Sequence, residues 1–166
     1  VLYDAVFAGV RHFRPRFGGD MFEVRKEAEE RGTSMNLFDI LGPVMVGPSS
    51  SHTAGAVRIG LAARRLLGEG TPKSAEITLF GSFAATGRGH GTDRALIAGL
   101  LGYKPDDERI ADSYAWAKGY GMDVHFEFSK RAAEHPNTAT IKMTGQSGKQ
   151  MTMTACSLGG GRIMVT

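Results

Sequence analysis

The 166-residue sequence predicts helices packed on a mixed β-sheet, an α+β (α/β sandwich) fold. Three observations carry this. Residues 51–67 repeat apolar side chains at helical spacing. Residues 75–80 alternate as a strand does. The tail holds four more segments of strand character, at 122–128, 138–144, 150–156 and 162–166. A helix with one apolar stripe and a strand with one apolar face each need a second layer to bury against.

Residues 1–34 read as an N-terminal extension of unknown role. Six basic residues there balance six acidic ones, aromatics recur at Tyr3, Phe7, Phe13, Phe17 and Phe22, and Pro15 and Gly18-Gly19 interrupt the run. Asp4 breaks the apolar start and no small-residue cleavage site follows, so secretory patterning is absent. Residues 22–31 suggest a short charged helix, and Gly32-Thr33-Ser34 a linker. Residues 35–166 then form the domain proper. Asn36 caps a predicted short helix through Leu41, and Pro43 and Gly47-Pro48 enforce an irregular loop, since each proline removes a backbone donor and restricts its predecessor.

The long helix begins near Ser51 and runs to about Leu67. Ala54, Val57, Leu61, Ala62, Ala63, Leu66 and Leu67 form its stripe, Arg58 and Arg65 its outer face, and Gly68 and Gly70 its stop. After the strand at 75–80, a glycine-punctuated loop at 81–91 leads to a helix at 92–101 capped by Thr92 or Asp93. Another helix is predicted at about 107–119. Gly145-Gln146-Ser147-Gly148 has the chemistry of a turn between two tail strands.

Composition narrows function mainly by exclusion. Hydrophobic residues at 42% and charged residues at 22% describe an ordinary globular chain. Twenty Lys+Arg against 17 Asp+Glu leave a net charge of +3, too small and too scattered for a nucleic-acid partner. No apolar stretch approaches the ~20 residues of a membrane helix, so no membrane is expected. The single cysteine, Cys156, excludes an intrachain disulfide framework and a site built on the chain's own thiolates, and no metal is assigned to it. A reducing, cytoplasmic setting is the expectation. The 23 glycines are about twice the usual ~7%, so their positions carry information.

Two segments concentrate the chemistry. Gly47-Pro48-Ser49-Ser50-Ser51-His52-Thr53-Ala54-Gly55 brings three serines, a histidine and a threonine to a helix start, where unpaired N–H groups and the dipole favour an anion. Simple serine capping is the competing reading. The second segment, Gly81-Ser82-Phe83-Ala84-Ala85-Thr86-Gly87-Arg88-Gly89-His90-Gly91-Thr92-Asp93, sets Arg88 and His90 between glycines that permit close ligand approach. It lacks the sixth-position glycine of the dinucleotide fingerprint and the Lys-Ser/Thr ending of a P-loop. A tight turn with solvated Arg88 and His90 is the alternative, and Asp93 reads as a cap rather than an acid catalyst. His135-Pro136-Asn137-Thr138 is either a loop entering a strand or a site wall. Gly159-Gly160-Gly161 is either a flexible joint or a close-approach surface. Cys156 reads as buried and inert, Trp116 as a packing residue, and the methionines as core filler.

These motifs, from Asn36-Leu37-Phe38-Asp39-Ile40-Leu41-Gly42-Pro43 through Ser49-Ser50-Ser51-His52-Thr53, Gly87-Arg88-Gly89-His90-Gly91-Thr92-Asp93, His135-Pro136-Asn137-Thr138 and Gly159-Gly160-Gly161, closely resemble the β chain of bacterial iron–sulfur-dependent L-serine dehydratase. The likeness covers about 35–166. It implies a lyase of amino-acid metabolism and gluconeogenesis that converts L-serine to pyruvate and ammonia without pyridoxal phosphate. It implies a partner α chain that supplies a 4Fe-4S cluster, since one cysteine cannot hold it, with this chain inactive alone and a homo-dimer possible. It implies a fold similar to the allosteric substrate-binding domain of some phosphoglycerate dehydrogenases. An ACT regulatory domain usually follows in two-chain relatives, so a chain ending at Thr166 is expected to be a fragment or a short form.

Joined to the residues, the resemblance gives expected roles. Ser49, Ser50, Ser51 and Thr53 hold the substrate carboxylate, with Arg88, Gly89, Thr92 and Asn137 beside them. His52 or His90 assists proton movement at Cα. The alternative is a non-catalytic amino-acid or anion-binding regulatory module, and a purely structural docking module ranks third.

Overall fold

The structure, a computed structural model, describes residues 44–166. The expected extension at 1–34 and the helices expected at 22–31 and 36–41 lie outside the described residues. Within them, the elements in order are a π-helical turn (Ser50–Gly55), α1 (Ala56–Leu67), β1 (Ser74–Leu79), α2 (Gly81–Thr86), α3 (Thr92–Leu101), a 3₁₀ turn (Glu108–Asp112), α4 (Ser113–Gly119), β2 (Asp123–Phe128), β3 (Thr138–Thr144), β4 (Gln150–Gly159) and β5 (Arg162–Val165).

The five strands form one mixed sheet in the order β2-β1-β3-β4-β5. β1 and β2 are parallel, joined through the intervening helices, and every other pairing is antiparallel. The period of two puts Ala75, Ile77 and Leu79 of β1, Ala139, Ile141 and Met143 of β3, and Met153 and Ala155 of β4 on the buried face. Register aligns Ile77 with Ile141 and Ile141 with Met153 across that face. The opposite face is polar: Glu76, Lys142 and Thr152 are exposed there, and Thr140 and Thr154 pair their hydroxyls at 2.9 Å. The tail strands thus match their predicted spans to within a few residues, and Gly148 N–H donates to the Gly145 carbonyl in the predicted turn at 3.1 Å.

Helices α1 and α3 cover the buried face. Val57, Ile59, Ala63 and Leu67 of α1 pack in one core with Leu96, Ile97 and Leu100 of α3. The two helices cross backbone to backbone at Gly60 and Gly99. A Cβ on Gly60 would run into the Leu96 carbonyl oxygen and lie 2.9 Å from Gly99 Cα. A Cβ on Gly99 would meet the Val57 carbonyl oxygen and lie 2.8 Å from Gly60 Cα. Gly68, with φ 79°, stops α1 as predicted and donates its N–H to the Arg64 carbonyl.

Several local expectations are corrected. The long helix opens as a π-helical turn, and regular α geometry starts only at Ala56. The loop at 81–91 contains helix α2, anchored by the fully buried Phe83, and only 87–91 remain a turn. The cap of α3 is Gly91 in a left-handed conformation (φ 70°), so neither Thr92 nor Asp93 caps it. The helix at 107–119 is split: Asp107 accepts from Arg109 N–H to start a 3₁₀ turn, and Asp112, with φ −108° and ψ 19°, separates that turn from α4. Trp116 is exposed rather than packed. The methionines divide, with Met122, Met143 and Met153 in the core and Met164 outside it.

Candidate functional site

Three segments converge on the imidazole of His52, which is only 7% exposed. The π-helical turn supplies the histidine itself and its nearest serines. Ser49, in extended conformation, accepts the His52 backbone N–H on its side-chain oxygen and so caps the turn, while its carbonyl accepts Thr53 N–H at 2.8 Å. The turn holds one more residue than an α-turn would, a device that re-aims side chains and recurs at functional sites. It can lie against β4 because residue 55 is glycine: a Cβ there would collide with the buried Ser157 side chain.

Around the ring, Nδ1 lies 3.1 Å from Ser51 Oγ and 3.3 Å from Ser49 Oγ. Nε2 lies 3.1 Å from Thr86 Oγ1 and 3.3 Å from Ser82 Oγ, both on α2. Phe83, on the same short helix, meets the imidazole edge-on at 5.2 Å between centroids. The ring of His90 stands nearly perpendicular to it at 5.0 Å. Burial lowers the His52 pKa from its usual 6.5, the nearby His90 lowers it further, and the Ser82 backbone acts in the opposite direction. His52 is therefore a neutral imidazole at pH 7, with lone-pair and N–H functions both available.

The other residues singled out in the sequence are distributed around this centre. Ser50 turns away from the ring and accepts the Gly160 N–H at 3.4 Å, so the Gly159-Gly160-Gly161 segment is a β4–β5 turn seated on the serine motif. Arg58 secures the same turn by donating to the Gly161 carbonyl at 2.7 Å. Thr53 is buried, and its Oγ1 would lie 2.6 Å from a Cβ on Gly47. Thr92 is fully buried, and its hydroxyl has no hydrogen-bond partner. Asn137 also keeps a buried side-chain oxygen without a partner. Arg88 is exposed and stacks on the Phe128 ring at 4.6 Å. With Gly89 it lines an open groove of about 330 Å³, which adjoins a second of about 490 Å³ running to Lys130 and Arg131. His52 lines neither groove.

Ser82, Thr86 and Tyr114 carried no predicted role, and Asp93 only that of a helix cap. Ser82 and Thr86 are four apart on α2 and therefore share a face. That spacing would have flagged them had the segment been read as a helix. Asp93 is buried, and its carboxylate accepts from the Tyr114 hydroxyl at 2.9 Å and from Arg94 N–H at 2.9 Å. The contact ties the start of α3 to α4 and raises the Tyr114 pKa, with burial the larger cause.

A two-layer α+β domain that encloses a hydroxyl-ringed histidine between two glycine-rich segments defines the class of protein. A family model described as the serine dehydratase beta chain matches residues 35–121, and the chain belongs to that family. It is 47% identical over 131 residues to the probable L-serine dehydratase, beta chain, of Bacillus subtilis (strain 168), covering 79% of this chain and 59% of the relative. It is 41% identical to the L-serine dehydratase, beta chain, of Peptoniphilus asaccharolyticus, covering 80% of this chain and 60% of that protein. The L-serine dehydratase of Streptomyces coelicolor is 33% identical, over 79% of this chain and 34% of its own length. The chain thus spans about 60% of the beta-chain relatives it matches. No helix among the described residues is long and apolar enough to cross a membrane.

Proposed function

We propose that this chain is the β part of an L-serine dehydratase and that, together with an α partner, it converts L-serine to pyruvate and ammonia. The reaction is a β-elimination. Serine loses its Cα proton and its Cβ hydroxyl, the resulting aminoacrylate tautomerises to an imine, and water hydrolyses that to pyruvate and ammonia. The observation that carries this reading is the buried imidazole of His52, with four hydroxyl oxygens within 3.3 Å and a second imidazole beside it. A neutral histidine can accept a proton, and its pKa, lowered by burial, keeps it neutral at the pH of the cell.

In this reading His52 takes the Cα proton, His90 flanks it from the α3 side, and the serine hydroxyls of the π-helical turn bind the substrate carboxylate. Ser49 and Ser51 face the histidine, whereas Ser50 holds the β4–β5 turn and shapes the site indirectly. Arg88, on the exposed 87–91 turn, supplies positive charge at the rim.

A four-iron four-sulfur cluster is held by several cysteine thiolates, four in the usual case. This chain has one cysteine, buried in β4, so its own residues do not fit such a group. In this reading the cluster belongs to the α partner.

The test is reconstitution. Mixing the chain with a cysteine-bearing α partner is expected to give serine-dependent pyruvate, and His52→Ala is expected to lower turnover by roughly 10²–10⁴-fold, the usual worth of a positioned acid–base group. Full activity of His52→Ala would remove it from the chemistry. Tight L-serine binding by the chain alone, with no turnover on adding the partner, would point instead to a regulatory module.

A further inference from the structure

We propose that Thr86 is a positioning residue that sets the tautomer of His52, keeping the proton on Nε2 and leaving Nδ1 as the basic nitrogen. The inference rests on the reading of His52 as the proton acceptor and says which of its atoms does the work.

The Thr86 hydroxyl has one proton, and it is donated to the Ser82 carbonyl one helical turn back, at 2.9 Å. The Thr86 oxygen therefore presents only lone pairs to the His52 Nε2 atom 3.1 Å away. Two lone pairs facing each other would repel, so Nε2 carries the hydrogen and donates it. Neutral imidazole then has its free lone pair at Nδ1, which faces the Ser51 and Ser49 hydroxyls at 3.1 and 3.3 Å.

Before substrate binds, either serine can donate to Nδ1, and Ser49 also accepts the His52 backbone N–H at 3.2 Å, which leaves its own proton free; a bound carboxylate would take over these donors and open the Nδ1 lone pair. The Ser82 hydroxyl, 3.3 Å from Nε2, can act either way and does not decide the tautomer. Phe83, fully buried between these two α2 residues, packs against the ring and holds its plane. Helix α2 thus blocks one edge of the imidazole and turns the basic edge toward the serine motif. Proton exchange with substrate proceeds on that edge, directly or through Ser51.

The experiment reads the tautomer without activity. In the full chain labelled with ¹⁵N-histidine, long-range ¹⁵N–¹H correlation spectra identify His52 by its loss in His52→Gln. The wild type is expected to show a protonated Nε2 and an unprotonated Nδ1. Thr86→Val removes the acceptor and is expected to mix the two tautomers, while Thr86→Ser and Ser82→Ala retain the wild-type pattern. Thr86→Ala serves the same purpose should valine disturb folding. A wild-type ring protonated on Nδ1, or a pattern unchanged in both Thr86→Val and Thr86→Ala, overturns the proposal.

In the reconstituted enzyme, Thr86→Val is expected to lower kcat about tenfold with little change in KM, and Thr86→Ser to restore it. A mixed tautomer with full turnover would support the positioning role of Thr86 and sink the assignment of His52 as proton acceptor.

Discussion

Replacing Gly60 by alanine tests the α1–α3 crossing. The new methyl would collide with the Leu96 carbonyl oxygen and stand 2.9 Å from both Gly99 Cα and Leu100 N. Carbon atoms normally approach to ~3.5–4.0 Å, so the helices must separate by about half an ångström or more. The obstacles are backbone atoms, which cannot rotate aside, and overpacking of this kind costs at its upper range about 3 kcal/mol. Alanine's better helix propensity returns about 1 kcal/mol. The expected net loss is therefore about 2 kcal/mol, read as a lower urea midpoint with an unchanged slope. Gly119→Ala is the control, because a Cβ there meets nothing within 4 Å. His52 lies in the turn that leads into α1 and His90 in the turn that leads into α3, so Gly60→Ala should also widen the gap between the imidazoles and reduce reconstituted turnover. If Gly60→Ala is as stable as Gly119→Ala, the close crossing does not exist as described.

Other outcomes follow from the same contacts. Gly55→Ala should destabilise the fold through its clash with Ser157, and Ser157→Gly should relieve part of that loss; a double-mutant cycle is expected to show coupling of about 1 kcal/mol or more, and additive effects would refute the contact. The folded-state pKa of His52 lies below its usual 6.5, so its contribution to stability is fully present above pH 6.5 and is lost as pH falls through the lower folded value. Urea titrations from pH 7 to 5 should show a shallower loss in His52→Gln than in wild type, and equal slopes would count against the buried neutral ring. Tyr114→Phe leaves the Asp93 carboxylate short of a donor and should cost about 1 kcal/mol in thermal or urea unfolding.

The sheet and its two covering helices were legible because their signals are long. Six or more alternating residues in β1 and β3 and a four-turn stripe in the serine-led helix average over local exceptions. Helix α2 was not legible: six residues span less than two turns, and Gly81 and Gly87 bracket them like a loop. Its two hydroxyls were missed with it, although they make up half of the polar shell around His52. Three adjacent serines were equally opaque. Only the π-helical geometry separates Ser49 and Ser51, which face the ring, from Ser50, which secures a distant turn. Gly91 took the capping position from Thr92 and Asp93 because the chain enters α3 with positive φ, which a glycine adopts without strain.

The burial of Cys156 has a practical outcome for any two-chain preparation. Its sulfur, the chain's one thiol, sits in β4 with the residue 2% exposed, so thiol-directed reagents find no ready target on this chain. In a mixture with a cysteine-bearing partner, thiol labelling would report on the partner alone, with this chain as a silent background.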